Sequence, residues 1–247
     1  MKRSIIGAHG ALGALGALVG LTLAGCATTL PPTTIAVSDS GVFQPSVRVG
    51  WSISKVPGAP SDPQSGHGIE IGAMRASGDD TQSLAAGQGP VRIGGTTFNP
   101  GQTLWYEADL TYYDVTYRFR RFFGDGSFGI EALAGLAHAI LDLTVSSATQ
   151  RASESVSATG IQVGVGGIWR LRPGTSLQAR YTWFGSGDYD ESTTASSVEF
   201  SAAQALGRNI VVRGGYAVTK AKSERDYSLS RIEVELSGPL LRLELQF

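Results

Sequence analysis

The sequence predicts an all-β chain, an antiparallel up-and-down transmembrane β-barrel of eight strands with ten as the alternative count, and three observations carry that expectation. The last seven residues, Leu241-Arg242-Leu243-Glu244-Leu245-Gln246-Phe247, alternate apolar with polar side chains up to a terminal aromatic residue. Successive side chains of a strand point to opposite faces, so Leu241, Leu243, Leu245 and Phe247 share one face and Arg242, Glu244 and Gln246 the other. The same alternation recurs along most of the chain, divided by Gly-, Pro- and Asp-containing turns. Beyond the amino terminus no stretch approaches the roughly 20 apolar residues of a spanning helix, so a membrane-embedded part must be a closed barrel that pairs its own backbone.

The amino terminus is excluded from the fold. Lys2 and Arg3 precede an uncharged Gly/Ala/Leu-rich run from Ile5 to Gly25, the order of a secretory signal peptide. Residues 1–25 are therefore expected to be removed, 26–42 to form a Thr/Pro/Ser-rich tether, and 43–247 to form one barrel domain. Cleavage removes two basic residues and no acid from a chain of net charge −1, so the mature protein is mildly acidic, with nothing to recruit nucleic acid. Cys26 is the only cysteine, which excludes an intrachain disulfide.

Strand one carries Val47, Val49, Trp51 and Ile53 on one face. Residues 57–102 weaken into Pro, Gly, Ser and Asp and predict a large loop with its own hairpin, from the short alternating pieces Ile69-Glu70-Ile71 and Val91-Arg92-Ile93; the ten-strand alternative promotes these pieces to full strands. Strand two holds Leu104, Tyr106, Ala108, Leu110 and Tyr112 in one parity and Val115, Tyr117 and Phe119 in the other, which predicts a bulge near Tyr113-Asp114. Gly124-Asp125-Gly126-Ser127 turns into strand three, with Ile130, Ala132, Ala134 and Leu136. Strand four carries Ile161, Val163, Val165 and Trp169, and strand five, after Arg172-Pro173-Gly174-Thr175, carries Leu177, Ala179, Tyr181 and Trp183. Strand six has Val198, Phe200 and Ala202, and strand seven Ile210, Val212, Tyr216 and Val218. The last strand changes parity between Leu236 and Leu241, which predicts a second bulge at Gly238-Pro239.

Tight turns at 124–127, 172–175 and 206–209 alternate with polar stretches at 57–102, 146–157, 185–197 and 220–226, which read as short periplasmic turns and long extracellular loops. An even strand count brings both ends of the domain to the periplasmic side. Trp51, Trp105, Trp169, Trp183, Phe128 and Phe247 fall near strand ends and predict interfacial girdles. A soluble barrel with the apolar face inward, tethered in the periplasm and binding a small apolar ligand, is the rival reading, since alternation alone does not say which face is inside.

Two resemblances bear on location. Leu23-Ala24-Gly25-Cys26 resembles the lipobox of bacterial lipoproteins, which implies acylation of Cys26 and handling by the lipoprotein-sorting machinery; Ala27 is not the Asp associated with inner-membrane retention, so outer-membrane sorting is expected. Residues 43–247 resemble the OmpA/OmpX-type small outer-membrane barrels, through Tyr117-Arg118-Phe119 before a Gly-Asp turn, the small-residue strand Ala132 to Ala137, and the terminal Leu-x-Leu-x-Leu-x-Phe. That resemblance implies a monomer in outer-membrane lipid whose Leu245 and Phe247 are read by the barrel-assembly machinery. The lipobox departs from it, since most such barrels carry plain signal peptides.

The expected lumen holds Arg48, Glu107, Asp109, Glu131, Arg170, Arg180, Glu199, Arg213, Arg242 and Glu244, which read as a structural ion-pair network because an unpaired buried charge costs several kcal/mol. A narrow pore is the sharper alternative. For catalysis, lipid A deacylases resemble the chain in size but use His-x-Ser, whereas His138 is followed by Ala139 and Ile140. His67 with Asp79 and Asp80 resembles the Asp/His pairs of outer-membrane proteases or a cation site, against the plainer reading of a solvated loop tip. No metal-ligand spacing and no cofactor motif is present, and a non-enzyme is expected. The expected role is envelope integrity or binding of an extracellular ligand through the loops.

Overall fold

The computed structural model describes residues 33–54, 66–87, 89–188, 191–225 and 230–247. The expected signal peptide, Cys26 and the tether residues 27–32 lie outside the described residues; the rest of the expected tether is not a free linker, since 33–40 is a strand held in the wall by backbone pairing. Twelve strands form, β1 (Thr33–Ser40), β2 (Gln44–Ser54), β3 (Gly66–Ser83), β4 (Val91–Ile93), β5 (Thr96–Phe98), β6 (Thr103–Phe123), β7 (Phe128–Ser146), β8 (Arg151–Arg172), β9 (Thr175–Asp188), β10 (Glu191–Ala205), β11 (Ile210–Arg225) and β12 (Ser230–Gln246), and no helix forms among the described residues.

Neither eight nor ten is the count around the wall. Nine strands close a ring in the order β2, β3, β6, β7, β8, β9, β10, β11, β12, and β12 returns to β2. An odd ring cannot alternate direction throughout, so the closing pair is parallel, with Leu240 to Gln246 beside Gln44 to Gly50. β1 extends the same wall, pairing in parallel from Thr33 beside Ser230 to Ser40 beside Ser237. The predicted hairpin inside 57–102 resolves differently: 66–83 is a full strand of the wall, and only 91–98 is a separate two-stranded hairpin, β4 with β5.

Odd closure also separates the ends of the domain. Phe247 lies at the rim formed by the turns 124–127, 173–174 and 206–209, its N–H donating to the Gly50 carbonyl at 2.9 Å. The chain enters at Thr33, beside Ser230, at the opposite rim, which overturns the expectation that both ends meet at one side.

Three of the expected loops are strand. β7 and β8 pair without interruption out to Ser146 and Arg151, β9 and β10 out to Asp188 and Glu191, and β11 and β12 out to Arg225 and Ser230. The connections there are as short as those at the Phe247 rim, so loop-length asymmetry is absent at these three joints. Strand length takes its place. β6, β7 and β8 run 21, 19 and 22 residues, about twice the 9–11 that cross a bilayer.

Both predicted bulges are absent. β6 pairs with β7 from Trp105 to Phe123 in unbroken register, and β11 pairs with β12 from Ile210 to Arg225 likewise. Inward positions on β6 are the even ones throughout, from Leu104 through Tyr112 to Asp114, Arg118 and Phe122. What changes at Tyr113 is the chemistry of the two faces. Register shifts do occur between Ser52 and Ser54 in β2 and between Arg170 and Arg172 in β8, and a further irregularity sits in the partner of β12, at Gly41 between β1 and β2. There φ is +91°, a conformation that favours glycine, and the N–H groups of Gly41 and Val42 both donate to Ser237 O, at 2.7 and 3.0 Å. Gly238 is required opposite it, since a Cβ would stand 2.2 Å from Val42 O.

Candidate functional site: a charged lumen inside an apolar belt

The wall has two halves of opposite polarity. In the half next to Phe247, large apolar side chains point out and charges point in; in the half next to Thr33 the reverse holds. On β8 the outward residues run Arg151, Ser153, Ser155, Ser157 and Thr159, then Ile161, Val163, Val165, Trp169 and Leu171, without a change of parity. On β12 they run Arg231, Glu233, Glu235 and Ser237, then Pro239, Leu241, Leu243 and Leu245.

Register places these switches side by side. Tyr113 pairs His138, His138 pairs Thr159, and Leu136 pairs Ile161. Further round, Val198 pairs Val218 in the belt while Ser196 pairs Lys220 just outside it, and Lys220 pairs Glu235. The edges join into one continuous boundary. From Tyr113 to Phe123 the belt on β6 is 11 residues deep, which at roughly 3.3 Å per residue and a tilt near 45° spans about 25 Å.

Aromatic residues gather at the lower edge. Trp51 stacks on Phe247 at 6.4 Å, Phe123 on Phe128 at 6.4 Å, and Phe128 meets Trp169 edge-on at 6.2 Å. Trp183 and Tyr113 stand at the upper edge. Trp105 does not belong to either girdle: it pairs Ser146 near the far rim, on the polar outer wall.

Inside the belt the lumen is filled by charge. Arg48 bonds Glu70 at 2.8 Å and Asp114 at 3.2 Å; Arg118 also grips Glu70. Glu131 receives Arg120, Arg180 at 2.7 Å and the Gln178 amide at 2.9 Å. Arg242 reaches Glu199 at 2.7 Å and Ser46 Oγ at 3.0 Å, and Arg213 reaches Glu244 at 2.8 Å. All but Arg48, which is nearly so, are buried. Losing one partner leaves an uncompensated buried charge, a cost of about 3–5 kcal/mol.

Of the ten expected lumen residues, Arg48, Glu131, Arg180, Glu199, Arg213, Arg242 and Glu244 belong to this network. Arg170 sits at the mouth, its guanidinium 3.7 Å from the Phe122 ring centre. Glu107 and Asp109 are corrections: they face outward beyond the belt, near Arg151 at 3.4 Å and Arg75 at 3.3 Å. They precede the polarity switch, where the polar face is the outer one. Sequence reasoning missed Glu70, placed in a loop, and Asp114, placed in a bulge; it also passed over Arg118 and Arg120, whose parity opposite Tyr117 and Phe119 was the available signal.

Above the charges lies an ordinary apolar core. Ile35, Val37, Leu104, Leu143, Val145, Val234 and Leu236 point inward, and the β4–β5 hairpin caps them with Ile93 and Phe98, both essentially inaccessible. Between core and charges a cavity of about 60 Å³ is bounded by Tyr112, Gln162 and Phe184, with Tyr112 OH donating to Gln162 Oε1 at 2.9 Å.

The histidines weighed as catalytic alternatives stand apart from the partners considered for them. His67 contacts Tyr117 on the outer belt, at the opposite end of β3 from Asp79 and Asp80. His138 Nδ1 lies 2.8 Å from Thr159 Oγ1 on the outer wall at the belt's upper edge. Among the described residues no group of three or more His, Cys, Asp or Glu side chains could hold a metal. Leu245 and Phe247 sit on the outer face of the closing strand, Leu245 opposite Val49. No family model, curated protein or solved structure matches the chain.

Proposed function

We propose that this chain is a lipid-anchored outer-membrane β-barrel protein, without catalytic activity, that spans the bilayer with one half of its wall and presents the other half at the cell surface for envelope integrity or surface interaction. The observation that carries the reading is the ring at which the outer wall changes from apolar to polar. Buried charges with exposed Val47, Ile71, Val115, Val165, Phe200 and Leu243 outside them are the reverse of a barrel folded in water, and leaving that many large side chains in water forfeits about 25 cal/mol per Å². Hydrocarbon removes the penalty. The belt's depth of about 25 Å and its aromatic lower edge agree with a bilayer core.

The Phe247 rim, with its tight turns at the belt's edge, fits the periplasmic side, and the protruding half fits the exterior. A lumen packed with ion pairs below and capped by Phe98 above suits a structural wall better than a pore. The lipobox at Cys26 and the OmpA/OmpX-type resemblance are consistent with this and supply the anchor and the assembly signal at Leu245 and Phe247.

Electrophoresis with and without boiling, after carbonate and urea washing of isolated outer membranes, tests the reading. A wash-resistant band that migrates differently unboiled is expected. Release by detergent with no heat shift would mean that lipid alone holds a soluble barrel.

A further inference from the structure

We propose that the mouth of the barrel at the Phe247 rim binds a dianionic oxyanion of the phosphate class. A cavity of about 180 Å³ opens there between the 173–174 turn and the lumen, and every charged side chain that lines it is an arginine: Arg120, Arg170, Arg172 and Arg213. Thr175 and Ser176 add hydroxyls to the same wall.

The charge behind the cavity is unbalanced in the same sense. The buried network contains six guanidinium groups, on Arg48, Arg118, Arg120, Arg180, Arg213 and Arg242, against five carboxylates, on Glu70, Asp114, Glu131, Glu199 and Glu244. One cation is in excess within the network itself. Arg120 spends its Nε on Glu131, while its buried Nη2 makes no hydrogen bond and stands 3.6 Å from Glu70 Oε1. A buried donor without an acceptor and a surplus cation in a low-dielectric wall both favour an incoming anion. Guanidinium forks match the paired oxygens of a tetrahedral oxyanion, and several forks around one cavity favour two negative charges over one. Arg170, held flat against Phe122, and Arg172, whose Nε donates to Thr175 Oγ1 at 3.1 Å, stand at the entrance.

The site does not depend on what solvent meets the belt, so its failure and that of the membrane reading are separable. Calorimetric titration of the full-length folded protein with inorganic phosphate, at ionic strength held constant with chloride, tests it. Saturable binding of one phosphate per barrel is expected, with competition by sulfate, little effect of acetate, and weakening by about tenfold or more in Arg170→Gln/Arg172→Gln. Should the double variant lose the parent protein's β-sheet circular dichroism, Arg172→Gln alone, at an exposed position, gives the same comparison. Phosphate no better than chloride, acetate as good as phosphate, or a folded variant that binds like the parent protein would each overturn the proposal.

Discussion

Arg242 on β12 reaches past β11 to hold Glu199 on β10 in a two-pronged pair, Nη1 to Oε1 at 3.1 Å and Nη2 to Oε2 at 2.7 Å, with both side chains buried. The pair ties two strands that share no backbone bonds. Glu199→Ala leaves Arg242 inside without its carboxylate, and is expected to lower stability by about 3–5 kcal/mol, read as a fall in the denaturant midpoint of the folded barrel. Adding Arg242→Met to Glu199→Ala is expected to restore much of the loss. If the two changes simply add, the pair is not coupled.

The polarity ring makes a positional prediction on a single strand. Val165→Arg, in the middle of the belt on β8, is expected to cost about 2–4 kcal/mol and to reduce the heat-shifted form, as a cation at the bilayer midplane does. Ser155→Arg, outward on the same strand but beyond the ring, is expected to be neutral. Equal tolerance at both positions would remove the case for hydrocarbon around the belt.

Phe98 seats the β4–β5 hairpin on the upper core and is wholly inaccessible. Phe98→Ala is expected to cost about 3–5 kcal/mol of local stability and to admit protease within 84–102. The heat shift should persist, because the ring closes without the hairpin.

Above the belt β1 and β3 share no backbone ladder, and side chains join them instead. Asp80 Oδ2 accepts from Ser38 N at 3.4 Å and from Gln82 Nε2 at 2.9 Å, while Asp39 Oδ2 accepts from Asp79 N at 3.1 Å. Partial burial acts to raise the Asp80 pKa, but the bonds from Gln82, Ser38 and Thr81 outweigh it and hold the carboxyl below its usual range. A carboxyl lowered by folding contributes stability above its unfolded pKa, near 3.9, and loses it as pH falls through the folded value. Hydrogen exchange at Ser38 is therefore expected to accelerate below about pH 4, and Asp80→Asn to flatten that dependence. An acid-insensitive Ser38 amide would show that Asp80 does not hold the seam.

Entry of the chain at Thr33, opposite Phe247, predicts topology. An epitope inserted between Pro32 and Thr33 is expected to be reached by antibody on intact cells, and one in the 206–209 turn only after permeabilisation. The opposite pattern would invert the barrel.

Sequence by itself determined which residues share a face. Alternation is local, a consequence of backbone pleating, and it correctly grouped Leu241 with Leu243, Arg242 with Glu244, and Val163 with Val165. It also found the turns at 124–127, 172–175 and 206–209, where Gly and Pro set backbone angles directly. It did not say which face was inside. A change of apolar parity has two causes, an extra residue in the strand or a change in what surrounds the wall, and both print the same letters. The reading at Tyr113-Asp114 and Gly238-Pro239 chose the extra residue; unbroken register in the folded wall rules that out on these strands, and the two faces exchange polarity instead. For the same reason Ser153, Ser155 and Ser157 read as loop, because polar outward residues over an inward Val156 look like no membrane strand. The nine-strand ring, its parallel closure at β12 and β2, and the meeting of Glu70 with Arg48 and Arg118 were decided only by the tertiary structure. Each depends on pairings between residues far apart in the chain, and no local pattern records those.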